Sequence, residues 1–164
     1  MKLTIPNAIT IFRLVLIPFF IGIFYLPIHF VDQVQQNKIA TAIFMIAGIS
    51  DWLDGYLARK LNQSSDFGAF LDPVVDKLMV ASALIALVQL DRLDAVIAII
   101  IIFREISISA LREWMAKVGA SSAVAVSSAG KLKTVMQLVA ITFMLLESSG
   151  PLYITGYFLI IVAA

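Results

Sequence analysis

Apolar residues run along this chain in long blocks, with polar residues gathered between them. The blocks cover about 6–28, 38–60, 70–90, 93–116, 129–147 and 152–164. A run of roughly 20 predominantly apolar residues predicts a membrane-spanning helix, so the pattern predicts six spans. Pro6 suits the first turn of the first helix, and Pro18, inside that helix, predicts a kink. Between the blocks stand a polar stretch from Asp32 to Asn37, a short turn at Asp91-Arg92, a run of small residues and valines from Ala120 to Ser128, and the breaker Ser148-Ser149-Gly150-Pro151. The sixth block reaches only about 20 Å as a helix, against a hydrocarbon core of about 30 Å, and it has no polar flank. The reading is of a last helix cut short. The start, Lys2 followed by an apolar run, has the outline of a signal peptide. Arg13 sits inside that run and no small-residue cleavage site closes it, so a retained first helix is expected.

Composition points the same way. Apolar residues make up 61% of the 164, charged residues 14%, and the mean hydropathy is +0.98, where an ordinary globular chain is about 45–50% apolar and about 25% charged. The fold class expected is an all-α integral membrane protein: a six-transmembrane-helix bundle, its last helix truncated, forming a single domain over 1–164. With the N-terminus inside, Lys2, Arg59, Lys60, Arg112, Lys117, Lys131 and Lys133 fall on the cytoplasmic side and only Lys38 and Arg92 on the other. A net charge of +1 names no nucleic-acid partner. The absence of cysteine excludes disulfides, thiolate zinc sites and thiol catalysis. One histidine, His29, cannot build a multi-histidine metal site and reads as an interfacial residue.

The few charges carry the chemistry. Asp51, Asp54, Asp72 and Asp76 lie in or beside apolar blocks, where each ionised group costs about 2.5–3.5 kcal/mol at a helix centre. Asp51 and Asp54 are three apart on one helix face, Asp72 and Asp76 four apart on the next. The short link through Asn62, Gln63, Ser64, Ser65 and Asp66 makes these helices antiparallel neighbours, so both pairs fall at similar depth. Four gathered carboxylates repel unless protonated or held by cations, and hard divalent ions prefer such oxygens and phosphate oxygens. Gly55 and Ala58 leave room beside Asp54, Arg59 offers a fork suited to phosphate, and Gly68 ends the loop without a side chain. The whole run, Asp51-x2-Asp54-Gly55-x2-Ala58-Arg59-x8-Gly68-x3-Asp72-x3-Asp76, describes a metal-bridged diphosphate site. The plainer alternative pairs the aspartates with Arg59, Lys60 and Lys77 as buried salt bridges, but there are more acids than nearby bases, and the small residues would go unexplained.

At these residues the chain resembles the CDP-alcohol phosphotransferase family, matching its motif at all eight fixed positions and their spacing. The stretches IPNAITIFRLVLIPF (5–19), SDWLDGYLARKLNQSSDFGAFLDPVVDKLMV (50–80), REISISALREWMA (104–116) and SSAVAVSSAGKLKT (121–134) extend the resemblance over essentially the whole chain. The resemblance implies attack by an alcohol, here the C1 hydroxyl of sn-glycerol 3-phosphate, on the β-phosphorus of CDP-diacylglycerol, giving phosphatidylglycerophosphate and CMP. It implies divalent metal, Mg²⁺ or Mn²⁺ and two ions, on Asp51, Asp54, Asp72 and Asp76. It implies a CDP cradle of Asp54, Gly55, Ala58, Arg59, Gly68 and Asp72, with Asp76 the general base. A homodimer among membrane lipids, multi-pass in a bacterial inner membrane with its site facing the cytoplasm, is also expected.

The acceptor is read from a second basic group. Arg104 lies late in the fourth block, and Glu105, Ser109 and Arg112 form a polar stripe on an otherwise apolar helix. Lys131 and Lys133 open the fifth block at the same membrane face. Such cations suit an acceptor that brings its own phosphate. Snorkelling to headgroups and an Arg104–Glu105 structural pair are the plainer readings. Asn7, Thr10 and Arg13 make a polar stripe in the first helix, either a cavity wall or a set of interhelical hydrogen bonds. Trp52, Trp114, Phe19, Phe20 and Tyr56 read as packing or interfacial anchors. Rival functions are a same-family transferase using inositol phosphate, serine or phosphatidylglycerol, a prenyl-diphosphate enzyme, and an ion-coupled transporter, which the lack of an internal repeat disfavours.

Overall fold

The computed structural model describes residues 5–27, 29–61, 66–118 and 128–164. Among them the chain is all-α: α1 (Ile5–Ile23), α2 (Gln33–Leu61), α3 (Asp66–Gln89), α4 (Ala95–Lys117), α5 (Ser128–Leu146) and α6 (Pro151–Ala163). The chain divides into two compact units, Met1–Ala86 and Leu87–Ala164.

In the first unit α1 packs against α2. Phe20, fully buried, meets Phe24 edge-on with ring centroids 5.5 Å apart and Phe44 of α2 at 6.4 Å. Ile17, Ala40, Ala47, Val75, Met79, Ala83, Leu84 and Ala86 are the other buried apolar side chains of this unit among the described residues. α2 begins before the apolar block does. The Asp32 carboxylate accepts from the Gln35 N–H at 2.7 Å, which caps a helix end whose first amides otherwise lack partners. The polar stretch expected as a linker is therefore a capped first turn. Gln36, buried, donates to the Leu26 carbonyl at 2.9 Å and ties the turn after α1 to this helix. α1 continues through Pro18 and α3 through Pro73.

In the second unit α5 packs against α6. The two helices come close at Gly156, where a Cβ would lie 2.9 Å from the Ala140 carbonyl oxygen and 2.9 Å from Met144 Cγ. Asp91, at φ 56°, turns the chain out of α3. The Arg92 N–H then bonds the Leu87 carbonyl at 2.9 Å and the Asp91 N–H that of Val88 at 3.1 Å, the paired closure typical of a helix C-terminus. Arg92 itself is buried and donates from Nη1 to the Met144 and Leu145 carbonyls at 3.0 and 2.8 Å, while the Tyr153 hydroxyl donates to the Arg92 carbonyl at 3.1 Å. One cation thus satisfies the terminal carbonyls of α5; burial holds its guanidinium below the usual range, against the opposing effect of Tyr153. Asp94 caps α4 through the Val96 N–H at 2.8 Å. Gly150, at φ 113°, and Pro151 open α6 at the expected breaker, with Glu147 accepting from the Leu152 N–H.

The helices coincide with the apolar blocks, but the membrane reading of them is corrected. Among the described residues no helix is long and apolar enough to cross a membrane. The physical reason is interruption. Arg13 sits within α1, charges from Asp51 to Lys60 occupy the last third of α2, and Asp66, Asp72, Asp76 and Lys77 fill the first half of α3. Arg104 and Glu105 divide α4, and Lys131 and Lys133 open α5. The six-transmembrane-helix bundle, the multi-pass inner-membrane placement and the cytoplasm-facing orientation expected from the sequence are therefore not carried forward. Of the aromatic anchors, Phe20 is core, whereas Phe19, Trp52 and Trp114 are exposed. The 120–128 loop lies largely outside the described residues.

Candidate active site

The polar stripe of α1 turns inward. Asn7, Thr10 and Arg13, spaced three apart, are all buried. Arg13, only 2% exposed, donates from Nη1 to Asp51 Oδ1 at 2.6 Å, and its Nη2 lies 3.7 Å from Asp72 Oδ1. The Thr10 hydroxyl donates to the same Asp72 oxygen. α1 therefore supplies the cation on which a carboxylate of α2 and a carboxylate of α3 converge. The two acids keep solvent access, with side chains 47% and 40% exposed. A buried guanidinium is tolerated only when paired, and these acids supply the pairing. Of the bases nearer in sequence that the plainer alternative would have paired with these acids, Lys77 turns to its own helix and donates to the Pro73 carbonyl at 2.8 Å.

Asp76 is half-buried one helical turn beyond Asp72, and Gly68 is buried. Gly55 and the side chains of Asp54, Ala58 and Arg59 lie outside what the structure describes, although the α2 backbone is helical through them. The chemistry of the donors present suits a hard divalent cation: carboxylate oxygens from two helices directed at one positive charge, with a hydroxyl beside them. Among the described residues, however, no group of three or more acidic, histidine or cysteine side chains is gathered closely enough to hold a metal ion.

The second basic group assembles in the other unit. Arg104 Nη1 donates to the Ala163 carbonyl and, at 3.4 Å, to that of Ala164. Its Nη2 bonds Glu105 and, at 3.0 Å, Gln137 Oε1. Lys133 Nζ donates to the Ala164 carbonyl at 3.2 Å. Two of the four expected cations thus meet at the carbonyls of Ala163 and Ala164. Arg104 Nε has no hydrogen-bond partner among the described residues. Burial first, and the neighbouring Arg104 second, hold the Lys133 ammonium below its usual range, against Glu105. Arg112 is exposed and not brought into this cluster by any contact described here, and the Lys131 side chain lies outside the described residues. Gln137, buried and bonded to Arg104, is a member that sequence reading missed. Its signal was available, since it follows Lys133 by one helical turn.

The family model for CDP-alcohol phosphatidyltransferase matches residues 3–164. A CDP-diacylglycerol–glycerol-3-phosphate 3-phosphatidyltransferase of Haemophilus influenzae is 50% identical across 100% of this chain and 87% of its own length. The proteins of the same name from Salmonella typhimurium and Escherichia coli K12 are 47% and 46% identical, again over 100% of this chain and 88% of theirs. By both measures the chain belongs to the CDP-alcohol phosphatidyltransferase family.

Proposed function

We infer that this protein transfers the phosphatidyl group of CDP-diacylglycerol to the C1 hydroxyl of sn-glycerol 3-phosphate, forming phosphatidylglycerophosphate and CMP in anionic phospholipid synthesis. Identity of 44–50% over nearly the whole chain to transferases of that name carries this reading. In the reaction a new bond forms between the acceptor oxygen and the β-phosphorus, the bond from that phosphorus to CMP breaks, and the acceptor proton goes to a base. Such transfers depend on positioning and on neutralising phosphate charge.

The residues take their roles as follows. Asp51, Asp54, Asp72 and Asp76 hold the divalent metal, Mg²⁺ or Mn²⁺ and two ions, which supplies charge neutralisation at the diphosphate. Convergence of Asp51 and Asp72 on a single cation supports this assignment. Asp54, Gly55, Ala58, Arg59, Gly68 and Asp72 cradle the CDP portion. Asp76 takes the proton from the acceptor hydroxyl. Arg104, Arg112, Lys131 and Lys133 receive the acceptor phosphate, with the meeting of Arg104 and Lys133 in its support. Residues 1–164 act as one domain of this family, and the chain assembles as a homodimer.

The test is purified protein with CDP-diacylglycerol, supplied glycerol 3-phosphate, inositol phosphate, serine or phosphatidylglycerol in parallel, with and without chelator. CMP and phosphatidylglycerophosphate are expected with glycerol 3-phosphate and divalent metal only. Full turnover in chelator would remove the metal assignment. CMP release with another acceptor alone would replace the substrate.

A further inference from the structure

We propose that Arg13 is a built-in counter-cation for the Asp51–Asp72 pair and competes with divalent metal for those carboxylates, so that metal entry displaces its guanidinium. The proposal rests on the metal-binding reading of these acids given above. Arg13 is almost wholly buried, at 2.6 Å from Asp51 and 3.7 Å from Asp72, and Thr10 steadies the same Asp72 oxygen. Two carboxylates from two helices therefore already surround one positive charge, delivered by a third helix. For a metal ion to take its place beside these carboxylates, the guanidinium has to move. Its donors form a flat, directional fork, whereas a small divalent ion takes oxygens from all sides and carries twice the charge. The guanidinium already sits against Oδ1 of Asp51 and of Asp72, and a divalent ion brought to those carboxylates repels it. Were Arg13 only a brace that sets the carboxylates in place for metal, its removal would weaken metal binding. Were it a competitor, its removal would tighten it. The sign of the change separates the two roles.

The experiment measures Mn²⁺ binding to substrate-free protein by electron paramagnetic resonance, for the wild type, Arg13→Gln, Arg13→Lys and Asp72→Asn. Arg13→Gln is expected to bind Mn²⁺ at least about tenfold more tightly, the worth of one hydrogen bond to a charged group no longer broken by metal entry, Arg13→Lys to stay near the wild type, and Asp72→Asn to lose binding. Unchanged or weaker binding in Arg13→Gln, with the wild type binding, overturns the proposal and leaves the metal site standing. No Mn²⁺ binding by wild type or Arg13→Gln removes both. Should Arg13→Gln fail to fold, the wild type decides alone. With ¹⁵N-labelled arginine, the Arg13 Nε–H resonance, assigned by its loss in Arg13→Lys, is expected to shift as Mg²⁺ saturates, and a resonance that stays in place overturns the displacement.

Discussion

Asp76 is the residue on which turnover should depend most directly. Its replacement by asparagine keeps the size and removes the base, so Asp76→Asn is expected to lower kcat by about 10²–10⁴-fold, the usual worth of a positioned base. CDP binding by calorimetry should persist; undiminished kcat would refute the role. Arg104 should act on the acceptor instead. A charge-assisted hydrogen bond is worth about 1.5–3 kcal/mol, so Arg104→Gln is expected to raise KM for glycerol 3-phosphate roughly 10- to 100-fold, with KM for CDP-diacylglycerol unchanged. An equal rise in both would show that the substitution acts through the fold of α6, whose terminal carbonyls Arg104 also holds. At this scale the sequence was informative about residue type and less so about partner. Asp51 and Asp72 were legible from spacing alone. That their cation would come from Arg13, 38 positions before Asp51, was not, because a pairing at that distance depends on how α1 packs rather than on any local pattern.

At the scale of elements, helix ends follow short-range chemistry. The six apolar blocks became six helices, and Gly150-Pro151 opened α6 where the breaker stood. The polar stretch from Asp32 to Asn37 hides the start of α2 from an apolar pattern, although Asp32 followed three residues later by Gln35 is a capping pattern. The contact of α5 with α6 makes the sharpest stability forecast. At Gly156 an added Cβ would press on backbone oxygen as well as on a side chain, and backbone has less freedom to yield. Gly156→Val is expected to cost about 1–3 kcal/mol, lowering the melting temperature by about 2–4 °C for each. A thermal scan that matches the wild type would show that α6 shifts freely over α5.

For the whole molecule, hydropathy and structure part company. Six long apolar blocks and a high apolar fraction predict six membrane spans, yet no described helix is long and apolar enough to cross a membrane. Composition sums over the chain, while spanning depends on where the charges stand, and here they stand inside the helices. Those same interruptions carry the candidate chemistry: Arg13, Asp51 and Asp72 in one unit, Arg104, Glu105 and Lys133 in the other. Family membership, by contrast, was legible at once, since the eight-residue motif is a fixed order of residue types along one chain.

The sequence by itself determined the helices, their breaks, the family and the residue types of the candidate site, because periodicity, capping and motif spacing are properties of neighbours along the chain. Only the tertiary structure decided that Arg13 stands between Asp51 and Asp72, that Arg92 closes the end of α5, and that Arg104 and Lys133 meet at the end of α6. Those pairings join residues on different helices, and a charge selects its partner by the space and burial that packing leaves around it.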